Sequence, residues 1–549
     1  MASMQRRGAT EGDPLLGDSG QVVVGATREP SEQPWWRTPS VYWLIGPFFL
    51  FSLAFGGILV PKLNLMLELV CRKHLADRAP TVQSLSTVQP WAALVGGDDP
   101  QCKAPDIQRR VATLSLFINL ITGGLSAVVA PKIGHFSDGY GRLRLLALAS
   151  CGGLLGELVT VLVAKFPDAI DYRWLLLGAV FDGMGGSFTT GSILSQSYTS
   201  DCTPPSRRSV SVGYIQACLF SGLALGPVIA GYFAKWTGSL LSVFYVVVVC
   251  HALLILFLGL VVPESVSKDN RLLVRQRWRK EKEARALGVA PSFSSAQQKW
   301  NPLAPLAILW PTGPGTSSRL RVNLLALAMC DATIMGGALA ATAVVILYAE
   351  YTFNWGNLET SRFVSAMSLM RVMILMGIFP LVNYFGRVRP RRGRAATRDT
   401  NSGSDRLDGW LLSFALLCEV LGCLGYTLGR TESLFFGSGF FTAFGALGMA
   451  TTQAALTKHV PAERVGQVLG AVGMLHALAR VIGPVIFSGL YAATVATFPQ
   501  AIFVALGAMY GIALIISFVV QPGVHWEGEH QGGTADAADV AVSGDQVCF

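Results

Sequence analysis

GHFSDGYGRLRLL, residues 134–146, sets one acid (Asp138), three glycines and the basic residues His135, Arg142 and Arg144 between two long apolar runs. Each flanking run has roughly the length that crosses a bilayer, about 20 residues. The segment therefore reads as a short loop at a membrane surface. Composition agrees, since 51% of the 549 residues are hydrophobic and only 14% are charged, against about 25% charged in soluble domains. The net charge of +9 sits in loops between apolar runs, which is the pattern of membrane topology and not of nucleic-acid binding.

Working outward, apolar runs place helices near 41–67, 110–132, 145–165, 173–199, 209–233 and 240–262, then near 322–350, 360–385, 409–429, 432–456, 465–491 and 499–520. The expected fold is an all-α integral membrane protein of twelve transmembrane helices in two six-helix, pseudo-symmetric bundles. The expected parts are an N-terminal tail (1–40), a first bundle (41–262), a central loop (263–320), a second bundle (321–520) and a C-terminal tail (521–549). No apolar core precedes Tyr42, so the first helix is expected to do its own targeting. With both termini on one side, the loops of that side hold 29 Lys and Arg against 11 opposite. Positive charge stays inside, so both termini are expected in the cytosol. The first outer loop, with six, is the dissenting segment.

A repeat supports the split. Shifted by 257 residues, RSVSVGYIQACLFSGLALGPVI lies over a segment with the same GPVI ending, and Arg207, Gly213, Gly226, Pro227 and Gln196 fall on Arg464, Gly470, Gly483, Pro484 and Gln453. Duplicated halves place a substrate site between them near the midplane. The central loop carries RLLVRQRWRKEKEARAL, readable as a helix on the inner membrane surface or as a solvated linker. RVRPRRGRAATR, in loop 8–9, reads as a disordered basic anchor.

With Gly134, Asp138, Gly141, Arg142 and Arg144 at the positions of G-x-x-x-D-x-x-G-R-x-x, loop 2–3 resembles the signature of the major facilitator superfamily. The resemblance implies that the acid and arginines latch one face during alternating access. Loop 8–9 begins YFGRVRPRRGR with no clear acid, so only the first-half copy is expected intact. Helix 5, with Gly213, Gly222, Gly226, Pro227 and Gly231, is similar to a pattern of proton-coupled exporters in that superfamily, Ala230 replacing one glycine; its expected role is packing. Tyr198, Asp201 and Arg207 or Arg208 resemble both the tetracycline-exporter branch and solute carriers related to the proton-coupled folate transporter. The drug/proton antiporters usually carry an arginine four residues before the helix 4 glycine; here that position before Gly186 is Asp182.

Ionisable groups within spans are costly in hydrocarbon and are functional candidates. Asp182, Asp331, Arg371 and Arg480 lie on helices that line the cavity in the superfamily. Glu157 and Glu419 lie on supporting helices and are expected to be structural. Arg371 needs a partner, either a carboxylate such as Asp331 or an anionic substrate. His476 and Arg480 share a helix face four residues apart, so His476 is either a pH-responsive group or a packing histidine. Gln196 and Gln453 are candidates for a gate or an interhelical bond. Cys71 and Cys102, in the first outer loop, are a possible disulfide, and Glu11 with Leu15 and Leu16 has the form of a vacuolar or lysosomal sorting signal; the plasma membrane is the alternative.

The expected function is secondary transport of a small organic solute with proton coupling, by antiport efflux or by anion symport. The expected partners are the solute, protons, the bilayer and a sorting adaptor, on a monomer with no cofactor, no metal and no nucleic acid. The alternative is a non-transporting nutrient sensor on the same fold. No nucleotide-binding loop and no nucleophile–base spacing suggests an enzyme.

Overall fold

The computed structural model describes Pro34, Trp355 and residues 38–78, 105–286, 303–312, 315–353, 357–389, 403–494 and 497–526. Its membrane helices are α1 (Tyr42–Arg78), α2 (Pro105–Tyr140), α3 (Arg142–Lys165), α4 (Leu175–Met184 and Ser187–Cys202), α5 (Arg208–Thr237) and α6 (Leu241–Leu260). The second bundle holds α7 (Ser318–Phe353), α8 (Arg362–Val388), α9 (Arg406–Leu428), α10 (Glu432–Ala443 and Gly445–Lys458), α11 (Val465–Thr494) and α12 (Ala501–Ser517). Among the described residues ten of these are long and apolar enough to cross a membrane, α10 as one span across its turn at Phe444, and α12 is apolar but only 17 residues long. The twelfth, α4, is split at Gly185 and Gly186 into two shorter pieces. The outward faces are apolar: Leu148, Leu162, Leu253, Leu256, Trp410 and Ile515 are all exposed, a surface that suits lipid and would be unstable in water.

Local chemistry explains the breaks. At Gly186 φ is +77°, and the next residue, Ser187, is held at φ +52°; a left-handed non-glycine residue inside a helix is strain of the kind that clusters at functional sites. In α8, π-turns at Ile374–Ile378 and Tyr384–Val388 flank Pro380, which lacks an N–H for the helical ladder. Gly141, at φ +107°, makes the one-residue corner between α2 and α3. There the Glu264 carboxylate accepts the first free N–H groups of α3, from Arg142 at 2.8 Å and Leu143 at 3.2 Å, as a negative group at a helix N-terminus should. A Cβ at residue 141 would sit 2.5 Å from Glu264 Oε2.

The bundles meet where side chains are missing. Gly134 of α2 lies against Gly466 and Gly470 of α11, and Gly213 of α5 against Leu375 and Phe379 of α8. Within the first bundle, Gly222 and Gly226 of α5 press on the α1 backbone at Ser52 and Gly56. Those two glycines sit at close backbone contacts, whereas Gly231 has nothing within 4 Å of an added Cβ. Despite Pro227, α5 is one continuous helix.

The central loop forms a helix, Lys268–Ala286, which docks on the end of α2: Trp278 packs 4.5 Å from His135, and Arg275 Nε donates to Gly139 O at 2.8 Å. The solvated-linker alternative does not hold for these residues. The chain just past α12 is also anchored, with Asn323 of α7 exchanging hydrogen bonds with both backbone groups of Gln521 at 2.7 and 2.9 Å. Cys71 is disulfide-bonded, while its expected partner Cys102, like Glu11, Leu15, Leu16 and most of RVRPRRGRAATR, lies outside the described residues.

Candidate functional site

On the face carrying loops 2–3 and 8–9 the two bundles are bolted together. Arg142 is buried and reaches Asp138 Oδ1 at 2.6 Å, Asp201 Oδ2 at 3.0 Å and Ser137 Oγ at 2.5 Å. Asp138 Oδ1 also accepts the N–H of Gly466, in the first turn of α11, at 3.0 Å. Asp138, Arg142, Gly134 and Gly141 thus come together where the two bundles meet. Arg144 does not join them; one residue past the buried Leu143 its side chain points outward and is exposed. Of the next pair, Arg208 is buried and donates to Thr457 O at 3.3 Å, whereas Arg207 is exposed.

The second half carries a latch after all, which corrects the expectation of a single copy. Arg387 of α8 pairs with Asp408, with Asp405 Oδ2 3.1 Å from its Nε, and Lys458 of α10 donates to Asp408 Oδ2 at 2.7 Å. Ser209, at the start of α5, donates to Asp408 Oδ1 at 3.2 Å. The acid comes from the start of α9, beyond the loop, so reading the loop alone missed it. Signs are inverted between halves: an arginine between two aspartates in the first, an aspartate between Arg387 and Lys458 in the second. Lys458 stands 257 residues after Asp201, the same shift as the repeat.

Above the latch lies a cavity of about 410 Å³ within the first bundle, closed on one side by Arg480 of α11. Phe51, Phe55 and Phe188 line it; Phe55 and Phe188 stack at 4.8 Å. Its charged groups are Lys62, Glu157, Asp182 and Arg480. Lys62 Nζ pairs with Glu157 Oε1 at 3.2 Å. The strained Ser187 donates to Asp182 Oδ2 at 2.9 Å and receives Arg480 Nη1 at 3.4 Å. Glu157 Oε2 is buried without a hydrogen-bond partner among the described residues. Glu157 was expected to be structural from its helix number, but the cavity sits against α3, because Gly156 and Gly178 let α3 and α4 approach backbone to backbone. His251, also on the wall, was missed; its only sequence signal is a lone histidine in an apolar span.

In the second bundle Asp331 Oδ2 lies 2.5 Å from His476 Nε2, and its Oδ1 accepts from Thr452 at 2.8 Å. Asp331 is wholly buried. Its partner is therefore His476 and not Arg371, whose guanidinium stacks 5.0 Å from the centre of the Phe220 ring. The glutamines do not meet each other: Gln196 donates to Ser192 at 2.9 Å and Gln453 accepts from Gln216 at 2.9 Å.

Two six-helix bundles that meet through buried ion pairs on one face and hold a charged cavity have the architecture of a membrane transporter. The chain belongs to the Major Facilitator Superfamily, whose profile matches residues 106–397 and 404–540. It is 27% identical over 490 residues to the MFS-type transporter avaJ of Aspergillus versicolor, covering 88% of this chain and 89% of that one. It is 23% identical over 398 residues to the class H tetracycline resistance protein of Pasteurella multocida, covering 72% and 84%. Its fold is similar to the crystal structure of the human organic anion transporter MFSD10, with a TM-score of 0.62 at 19% identity and coverage of 88% and 100%. The protein is a secondary transporter of a solute and not an enzyme.

Proposed function

We propose that the protein moves a small organic anion with an apolar or aromatic body, together with a proton, by alternating access, with both termini in the cytosol. One observation carries this reading: α11 alone holds the latch donor Gly466, the buried histidine His476 paired with Asp331, and the cavity cation Arg480. A proton arriving at the Asp331–His476 pair and a solute arriving at Arg480 thus act on the same rigid element that closes the latch on Asp138.

Charge balance supports the direction. The cavity sets two cations, Lys62 and Arg480, against two carboxylates, Glu157 and Asp182, so an entering anion leaves a net negative charge in a poorly solvated space. Uptake of one proton with the anion removes it. Anion and proton then travel together. A cationic solute would instead displace a proton and run opposite to it. The phenylalanine wall suits an apolar body, and the relatives named for tetracycline resistance and organic anion transport fit such amphiphilic cargo. The Glu11, Leu15 and Leu16 signal supports residence in a vacuolar or lysosomal membrane.

The test is uptake of a panel of aromatic carboxylates and organic cations into proteoliposomes with an imposed pH gradient. Carboxylate accumulation in the direction of proton flow supports the proposal. Accumulation of a cation against proton flow would make the protein an antiporter, and binding without flux would make it a sensor.

A further inference from the structure

The α10–α11 turn collects a further set of contacts with the central-loop helix and the chain past α12. Arg277 of the Lys268–Ala286 helix pairs with Glu463, and Arg464 lies 4.4 Å from the centre of the Trp526 ring, whose backbone N–H bonds His459 O at 2.9 Å. Between this turn and the helix is a cleft of about 600 Å³ floored by Phe136 and Trp278. Arg277, Lys282 and Arg464 line it against a single acid, Glu463. The helix presents a second feature beside it. Its Val274 and Trp278 side docks on α2, while Leu272 and Leu273 stay 54% and 49% exposed, two turns before the exposed Arg279 and Lys280. Exposed leucines followed along one face by cations are what an interfacial helix presents to a charged bilayer surface.

We propose that this cleft binds the phosphorylated headgroup of an anionic phospholipid, with Leu272 and Leu273 entering the acyl boundary beside it. Guanidinium and ammonium groups are suited to phosphate oxygens, and the anionic leaflet is the cytosolic one, so the assignment in cells rests on the orientation proposed above. A headgroup between Arg277, Lys282 and Arg464 ties the helix that follows the first bundle to the turn that opens α11, and so braces the latched state.

The experiment uses the full chain in nanodiscs of phosphatidylcholine with and without phosphatidylinositol 4-phosphate; both faces are accessible there, so the result does not depend on orientation. Retained lipid is read by native mass spectrometry and stability by thermal unfolding. Wild type should retain the phosphoinositide and unfold at a higher temperature with it. Arg277→Gln with Lys282→Gln should cut retention about tenfold or more, from two lost surface cations, while Arg109→Gln on the opposite face should leave it unchanged. Lys282→Glu alone, at an exposed position, covers the case of a misfolded double variant and should lower retention too. Equal retention in the Lys282 variants overturns the proposal, as does equal stabilisation by soluble inositol phosphate in pure phosphatidylcholine.

Discussion

Ser209 and Gly466 stand 257 residues apart and perform the same act in opposite directions. Gly466, of the second bundle, donates its N–H to Asp138 of the first at 3.0 Å; Ser209, of the first, donates its hydroxyl to Asp408 of the second at 3.2 Å. Each half thus places the start of one helix on the buried carboxylate of the other half's latch. In the alternating access proposed above, parting the bundles on this face releases both.

The inverted signs make the two carboxylates unequal. Asp408→Asn leaves Arg387 and Lys458 buried with no close carboxylate except Asp405, whereas in Asp138→Asn the Arg142 guanidinium keeps Asp201. Removing the sole shared partner of buried charges costs about 3–5 kcal/mol. Thermal unfolding of the purified protein should therefore show a much larger loss for Asp408→Asn than for Asp138→Asn. Adding Lys458→Met to Asp408→Asn should recover part of it.

Helix 5 offers a cleaner contrast. A Cβ on Gly222 would lie 2.2 Å from Ser52 O of α1, a backbone atom that cannot rotate away, while one on Gly231 meets nothing within 4 Å. Gly222→Val should cost about 1–3 kcal/mol or prevent assembly of α1 on α5. Gly231→Ala should transport and unfold like the wild type; a loss there would mean that the helix 5 motif acts through something other than close packing.

The twelve spans and the first latch were legible because both are local: an apolar run announces its own helix, and Asp138 and Arg142 are one turn apart. The second latch is built from residues at 387, 408 and 458, joined only by the fold. A trace was present, since the repeat that aligns Gln196 with Gln453 also sets Lys458 on Asp201, opposite charges at equivalent positions. Asp331 and His476 are 145 residues apart with no such trace. Glu157 does pair with a neighbouring polar group, Lys62, but its place on the cavity wall could not be read from its helix number, because helix contact sets it. The span expected unbroken over 173–199 is interrupted at Gly185 and Gly186, a left-handed turn that an apolar run does not announce, and the break brings Ser187 to Arg480.

The Asp331–His476 contact predicts an uncoupled variant. Asp331→Asn keeps the shape and its Thr452 partner but replaces the carboxylate that His476 contacts, the group proposed above to couple solute to protons. Solute exchange down its own gradient should persist in proteoliposomes, while accumulation driven by a pH gradient should fall about tenfold or more, as expected when one proton-transfer group is lost. Loss of exchange and accumulation together would assign the pair to solute binding or folding instead.

A second histidine responds to acid through stability. His459, just past α10, is buried, and burial pushes its pKa down to about 4. Geometry gives the same answer. Asn323 has its amide oriented by the Gln521 backbone, so its NH₂ must donate toward His459 Nε2 at 3.2 Å, and the His459 ring then donates from Nδ1 to Ala455 O at 2.7 Å. A ring that accepts at Nε2 is neutral. Of the charged groups nearby, Asp408 favours its protonation while Lys458 and His525 oppose it. The unfolded chain, with histidine near 6.5, binds the proton first, so stability is full above about pH 6.5 and falls as pH drops toward 4, by about 3 kcal/mol in all. Unfolding midpoints of the wild type measured from pH 7.5 to pH 4.5 should decline, and His459→Gln should decline less steeply across the same interval even if it starts lower. Parallel slopes for the two proteins would place the acid sensitivity elsewhere.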